Sequence, residues 1–262
     1  MNKFYIQIAL FLLSIFAYAN NESLAAEPAP GEDTKHQLRS RYATSEEVYE
    51  KNKHLLCPGH DHTPVTDIMD EAIKQLEYYA TSKDGYEVYI QSPNDSISYY
   101  VKKIDDKTSI LKVHLNIYAS SQYDDIINRL WDPNAPKFFN KGTIVHVYNP
   151  NLVGIRQFCQ KDSKHYQKYF YALAAKDEIS KDKTIIAMTS SNTTYKHHSN
   201  IEHKNPILKK GNSHYGSLRP KYYGTDEKYK KIYVNLAGYL IEKKGDDLEI
   251  TYIESIEGHS SI

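Results

Sequence analysis

Two groups of histidines have the residue types that can bind a metal ion. The segment HDH at residues 60–62 offers two imidazoles and a carboxylate, and His197, His198 and His203 lie close together in a later polar stretch. Imidazole and carboxylate groups are common ligands of zinc and other transition metals. Neither group has the i, i+4 helical spacing or the paired cysteines that make a metal site specific. We therefore interpret both as solvated loop histidines and predict no metal ligands.

The two cysteines, Cys57 and Cys159, are candidates for a nucleophile or for a disulfide. A catalytic cysteine needs an environment that lowers its pKa and a partner imidazole, whereas Cys159 follows Phe158 in a predicted strand. Buried packing and a disulfide with Cys57 both remain open, because a disulfide needs the two Cα atoms within about 7 Å. Trp131, the single tryptophan, ends a predicted amphipathic helix, where we expect it to anchor the core.

The common enzyme signatures are absent from the sequence. It contains no nucleophile elbow, phosphate-binding loop, dinucleotide fingerprint or zincin helix. The formal net charge is zero, with 33 basic and 33 acidic residues, which provides no global field to attract nucleic acid. We predict that the protein is not an enzyme, needs no cofactor and does not bind nucleic acid.

The N terminus predicts a secretory signal peptide over residues 1–19. A basic residue precedes the apolar run 4–19, and small residues at 17–19 provide a cleavage site, so that the mature chain begins at Asn20. The run is shorter than the roughly 20 apolar residues that span a membrane. Residues 20–43 are polar and without periodicity, which predicts a flexible arm, because such a segment lacks the apolar surface that offsets the entropy of ordering.

Beyond the arm, the sequence alternates between helical and extended patterns. Thr44 and Glu47 predict a capping box, Thr63 and Pro64 predict the start of a second helix, and Ser121 with Asp124 predicts a third. The order of these elements predicts one α+β domain over residues 44–262, with a long, curving antiparallel sheet. We predict strands at residues 86–91, 96–104, 109–118, 143–148, 152–160, 167–176, 184–190, 232–243 and 248–256.

Residues 192–230 form a long polar insertion before the last two strands. Loops of this length in a compact domain are usually functional or disordered. Its basic side chains have the charge that anionic lipid head groups attract, although a solvated loop is the simpler interpretation. The two strands that follow predict a hairpin with Gly245-Asp246 at its turn. Their register stays open, because a slip by one residue exchanges one apolar face for the other.

Six stretches of the sequence carry a family resemblance. They are YEKNKHLLC (49–57), EYYATSKDGYEVY (77–89), IINRLWDPN (126–134), VHVYNPNLVGI (145–155), QKYFYALA (167–174) and NLAGYLIEKKGDDLEITYIESI (235–256). Together with the signal peptide, these stretches closely resemble the fam-a proteins of rodent malaria parasites. The resemblance covers nearly all of the chain after the N-terminal arm.

The fam-a proteins carry a START domain, the steroidogenic acute regulatory protein-related lipid transfer domain. The resemblance implies a helix-grip fold, in which a curved sheet and helices enclose a hydrophobic tunnel for one lipid. It also implies binding and transfer of phospholipid, phosphatidylcholine in particular, and export to the infected host red cell. START domains normally end with a long helix that covers the tunnel, whereas only residues 257–262 follow the last predicted strand. We therefore expect the C-terminal lid helix to be missing.

The export route stays open on the sequence. The arm contains Arg39 and Arg41 but no Arg-x-Leu export motif. A protein secreted without that motif either uses another export signal to reach the host erythrocyte or stops at the parasitophorous vacuole.

Apolar strands with few polar groups suit a cavity that exchanges water for an acyl chain, which is worth about 0.8 kcal/mol per buried methylene. We expect a phospholipid carrier that contacts membranes transiently, with its oligomeric state open. The alternative is a lipid-free interaction protein or surface antigen that keeps the fold, while a lipid hydrolase would lack a nucleophile with a recognisable base. Strand alternation predicts that the tunnel is lined by Val153, Ile155, Tyr169, Tyr171, Leu173, Met188, Leu236, Leu240, Ile250 and Tyr252.

Overall fold

The computed structural model describes residues 42–56, 62–91, 96–133, 142–158, 167–190, 203–210 and 229–257. Within these ranges, no helix is long and apolar enough to cross a membrane. Several of the sequence predictions fall outside the described residues. They are the signal peptide, most of the flexible arm, most of the polar insertion, and the residues Cys57, His60, Asp61, Cys159, His197 and His198.

The described α-helices begin close to their predicted starts. The capping box of the first is confirmed, because the Thr44 hydroxyl accepts from the Glu47 N–H while the Glu47 carboxylate accepts from the Thr44 N–H. The second helix has Pro64 in its first turn, but it begins at Thr63, which is therefore a helical residue and not the cap. The helices are α1 (Ser45–Asn52), α2 (Thr63–Thr81) and α3 (Tyr123–Trp131), with short 3-10 turns at Lys53–Leu55 and Ser120–Gln122.

In the described part of the chain, ten strands form a single sheet, and all of their pairings except one are antiparallel. β6 is longer than predicted. β8 lies at the end of the predicted polar insertion, because its three residues are too few and too polar to show the alternation that marks a strand. The strands are β1 (Glu87–Gln91), β2 (Ile97–Lys103), β3 (Ser109–Ile117), β4 (Thr143–Asn149), β5 (Leu152–Phe158), β6 (Gln167–Ser180), β7 (Lys183–Thr189), β8 (Tyr229–Lys231), β9 (Val234–Lys244) and β10 (Asp247–Ile256).

The order of strands across the sheet is β1-β2-β3-β10-β9-β7-β6-β5-β4, and β8 pairs in parallel with β6. The predicted hairpin of β9 and β10 turns at Gly245, which has a φ of +64°, and its register pairs Tyr239 with Tyr252. Pairing of β10 with β3 then joins the end of the chain to the first three strands. The result is a curved sheet with helices on both faces.

The two faces of the sheet have different covers. The helix face carries Leu173, Leu236 and Leu240 and is covered by α2, which packs on β6, β7, β9 and β10. The groove face carries Ile186 and Tyr252 and forms one apolar cluster with residues of α1 and α3. Most residues of the central strands are buried, whichever face they occupy. Both faces are apolar because both are covered.

A glycine allows α2 to approach the helix face closely. Gly238 in β9 has a φ of +149°, a conformation that side chains other than glycine rarely adopt. A Cβ at this position would lie 2.0 Å from the carbonyl oxygen of Ile186 and 2.6 Å from Cδ1 of Leu76 on α2. The absent side chain therefore permits both the strand conformation and the contact between helix and sheet.

We predict that Gly238→Ala lowers the free energy of unfolding by about 2–4 kcal/mol, because backbone strain and overpacking both act at this position. Gly245→Asn is the matched control, since Gly245 also has positive φ but a Cβ there would meet no atom within 4 Å. Asparagine tolerates a φ near +64°, so the control should change stability little. Urea unfolding of both variants measures the difference, and equal losses would contradict this explanation of Gly238.

Candidate ligand cavity

An apolar cavity of about 80 Å³ lies on the groove face, against the last turn of α3. One wall is helical, and the others are the faces of β4, β5, β6, β7, β9 and β10. Gln157 is the main polar side chain at its edge. The apolar walls include Leu130, Trp131, Ile144, Val153, Ile155, Ile186, Met188, Tyr239 and Tyr252.

A small side chain in the sheet leaves this space open. Ala174 of β6 borders the cavity, where its cross-strand neighbours Val153 and Met188 are larger. Ala174 pairs with Val153 on β5 and with Met188 on β7, so that three neighbouring strands present apolar atoms to one space. The short side chain of Ala174 thus leaves part of the space between these strands and α3 unfilled.

A buried carboxylate and two phenols lie beside the apolar space. The Tyr252 hydroxyl donates to Oε2 of Glu254 over 2.5 Å, and only 3% of Glu254 is exposed. The Tyr239 and Tyr252 rings are 5.0 Å apart. Burial, and next the negative charge of Glu254, raise the pKa of both tyrosines well above its usual value. Both phenols therefore remain neutral at physiological pH.

Helix α3 brings a positive charge towards the same place. Arg129 is buried, and its charge opposes the rise in the pKa of Tyr239. Buried charges are stable where they are paired and hydrogen-bonded. The apolar cavity therefore has a hydrogen-bonded carboxylate and phenol beside it, which can orient the polar part of a bound molecule.

The histidines of the described residues do not gather into a metal centre. In the ranges that the structure describes, no group of three or more His, Cys, Asp or Glu side chains could hold a metal ion. His62 contacts the edge of the Tyr148 ring at 5.0 Å, whereas His203 stacks on Tyr233 at 4.2 Å and accepts or donates a hydrogen bond at Asn235. Burial lowers the pKa of His203. These two histidines thus have separate aromatic contacts.

The structure brings part of the predicted lining together. Val153, Ile155, Met188 and Tyr252 border the cavity. Ile250 is fully buried on the same face, two residues from Tyr252 along β10. Strand alternation thus placed these residues of β5, β7 and β10 on the groove face.

The remaining predicted residues lie on the opposite face, which corrects the facing predicted for β6 and β9. They pack under α2 or at the edge of its cluster, and their groove-face neighbours are Ala174 and Tyr239. In both strands the apolar residues run continuously, so period-two alternation gives no phase. The residues concerned are Tyr169, Tyr171, Leu173, Leu236 and Leu240.

Trp131 belongs both to the core and to the cavity wall, and the sequence indicated only the first of these. It is buried, as expected for a core anchor, and it also forms a wall of the cavity. The amphipathic pattern of α3 placed it on the apolar side of the helix, but spacing alone could not show that empty space lay against it. Val48 of α1 and Ile186 of β7 are further lining residues that the sequence did not single out.

We predict opposite effects of added bulk at two neighbouring alanines. Ala174→Leu places its side chain in the cavity and should leave the free energy of unfolding unchanged or raise it by up to about 1 kcal/mol. Ala175→Leu adds the same bulk to the packed face under α2 and should lower it by about 1–3 kcal/mol. Thermal or urea unfolding compares the two, and equal destabilisation would show that no usable space exists beside Ala174.

The similarity of this chain to known proteins is a similarity of fold. No protein-family model matches the sequence, and no curated protein matches it. The structure is similar to that of human StAR-related lipid transfer protein 5, with a TM-score of 0.53, 10% identity, and coverage of 78% of this chain and 86% of that chain. Human STARD10 aligns over 74% of this chain and 69% of its own, at 12% identity and a TM-score of 0.48.

The predicted fold class is confirmed. The curved antiparallel sheet with few helices matches the START helix-grip fold of human StAR-related lipid transfer protein 5. At 10% identity the similarity concerns the architecture alone. The use of the cavity has to be argued from its own residues.

Proposed function

We propose that this protein is a secreted, non-enzymatic lipid carrier that binds a phospholipid on the groove face and transfers it between membranes. The observation that carries the proposal is the apolar cavity against Trp131, beside the buried group of Tyr252 and Glu254. The fold, shared with a protein named for lipid transfer, supports the same function. Phosphatidylcholine as the lipid, and a destination in the parasitophorous vacuole or host erythrocyte, are supported by the sequence resemblance to fam-a proteins.

The cavity must widen to hold such a ligand. Its volume of about 80 Å³ is smaller than the roughly 300–1,000 Å³ of typical ligand pockets. Two features make widening physically accessible. Met188 is an unbranched side chain that adapts to irregular spaces, and α3 has its main backbone contact with the sheet at β7.

The two ends of α3 have different attachments. Its first residue is tied to β7, because the hydroxyls of Tyr123 and Thr184 form a buried hydrogen bond of 2.9 Å. Its last residues, Leu130 and Trp131, are the cavity wall. We infer that the helix pivots about its Tyr123 end, which moves Trp131 outward and admits an acyl tail. Burial of about ten methylenes would contribute about 8 kcal/mol towards the opening.

Transfer of fluorescent phosphatidylcholine between vesicles tests the function directly. We predict that the secreted protein carries a phospholipid adduct in native mass spectrometry and accelerates transfer. Ala174→Leu should reduce both, because it fills the space that the tail needs. Ala174→Gly is the matched control, which removes bulk at the same residue and should retain the adduct.

A lipid-free interaction protein or surface antigen is the second candidate. The small volume of the cavity favours it, as do the exposed apolar side chains of the edge strand β1, where Val88, Tyr89 and Ile90 are 60%, 43% and 38% exposed. Absence of an adduct together with absence of transfer would contradict the carrier and leave this candidate. Transfer that is unchanged by Ala174→Leu would show that the lipid occupies another place.

A further inference from the structure

Aromatic and cationic side chains lie close together at one end of the sheet, where β5 ends and β6 and β8 begin. Three rings form a triangle, with centroids 6.0 Å apart between Phe158 and Tyr169, 5.9 Å between Phe158 and Tyr229, and 6.4 Å between Tyr169 and Tyr229. The guanidinium carbon of Arg156 lies 5.4 Å from the centroid of the Phe158 ring. Lys168 and Lys230 alternate with these residues along β6 and β8, so they lie at the same end of the sheet on its opposite face. We call the strand ends that carry the three rings, Arg156 and the two lysines the basic–aromatic end of the sheet.

Two lysines of this end are direct partners across strands. In the parallel pairing of β6 and β8, Lys168 lies opposite Lys230. Like charges that face each other across a sheet are destabilising. In the described part of the chain, no acidic side chain forms an ion pair with either lysine. The repulsion is therefore a cost that an anionic partner would relieve.

The rings of the basic–aromatic end remain in contact with solvent. Tyr229 is 40% exposed, while Phe158 and Tyr169 are half-buried. Tyrosine at the surface combines an apolar ring with a polar hydroxyl, which suits the boundary between lipid tails and water. Lysine and arginine at the same strand ends attract anionic head groups, while their apolar stems stay against the protein surface.

The position of this end relates it to the cavity. Gln157 lies between Arg156 and Phe158 on β5 and points to the other face, where it borders the cavity. A surface that rested on the basic–aromatic end would therefore be close to the polar edge of the cavity. Stacked rings with cations also occur where single-stranded nucleic acid binds, but the zero net charge of the chain and the adjoining apolar space favour a lipid surface.

We propose that the basic–aromatic end docks the protein on a bilayer that contains anionic lipid. The proposal deepens the proposed function, because docking places the cavity at the source of its ligand. Docking and transfer are nevertheless separate properties, and each can be measured without the other.

Sedimentation with vesicles tests the proposal. The secreted protein should bind vesicles of phosphatidylcholine with about 30% phosphatidylserine more tightly than vesicles of phosphatidylcholine alone, and added salt should weaken the binding. The double variant Lys168→Gln/Lys230→Gln should lose about tenfold or more in its partition coefficient. Tyr229→Ser should lose affinity as well, because the apolar part of the ring is removed.

The control variant removes the same charge elsewhere. Lys103→Gln/Lys243→Gln changes two exposed lysines on other strands and should reduce binding only slightly. Equal loss in the two double variants would overturn the proposal, as would equal binding to neutral and anionic vesicles. Binding of single-stranded oligonucleotide without binding of vesicles would overturn it in favour of nucleic acid.

Outcomes for docking and for transfer can be told apart. Normal transfer in the Lys168→Gln/Lys230→Gln variant, with unchanged vesicle binding, would overturn the docking surface and leave the carrier. Vesicle binding that depends on these lysines, in a protein that transfers no lipid and carries no adduct, would support the docking surface and contradict the carrier.

Discussion

The sheet is apolar on both faces, and this constraint determines the rest of the structure. Strands β7, β9 and β10 over most of their length, and β6 in its middle, are buried on either side, so each face needs a cover. The helix face receives α2, which packs so closely that only glycine fits at position 238. The groove face receives the two shorter helices α1 and α3, and between α3 and the strands an apolar space remains. The candidate site is thus the place where covering by the helices is incomplete.

The residues around the cavity determine what it can bind. Apolar walls favour the transfer of hydrocarbon from water, and a carboxylate with phenol partners can be kept there only because it is hydrogen-bonded. Neither feature activates a nucleophile. Binding, with orientation at one polar end, is what the arrangement can do. Helix α2 packs against four strands of the helix face, whereas α3 contacts the sheet mainly at β7, so movement is expected at α3.

The sequence was informative where local physics decides the structure. Thr44 with Glu47, and Pro64 in a first turn, mark helix starts through hydrogen bonds within a few residues. Strand alternation placed Val153, Ile155 and Tyr252 on the face that borders the cavity. It wrongly placed Leu173 and Leu236 there as well, although they lie on the opposite face, because both faces of β6 and β9 are apolar and alternation then gives no phase. Short β8 and the empty space beside Trp131 arise from tertiary packing, which leaves no local signal.

Fluorescence of Trp131 tests the central claim most directly, because the only tryptophan of the chain lies in the cavity wall. A phospholipid with brominated tails, added as monomers to the protein, should quench this emission on binding, while an unbrominated lipid of the same length should not. Ala174→Leu should abolish the quenching. A lipid that binds in native mass spectrometry but leaves the Trp131 emission unchanged would contradict the assignment of this cavity as the lipid site.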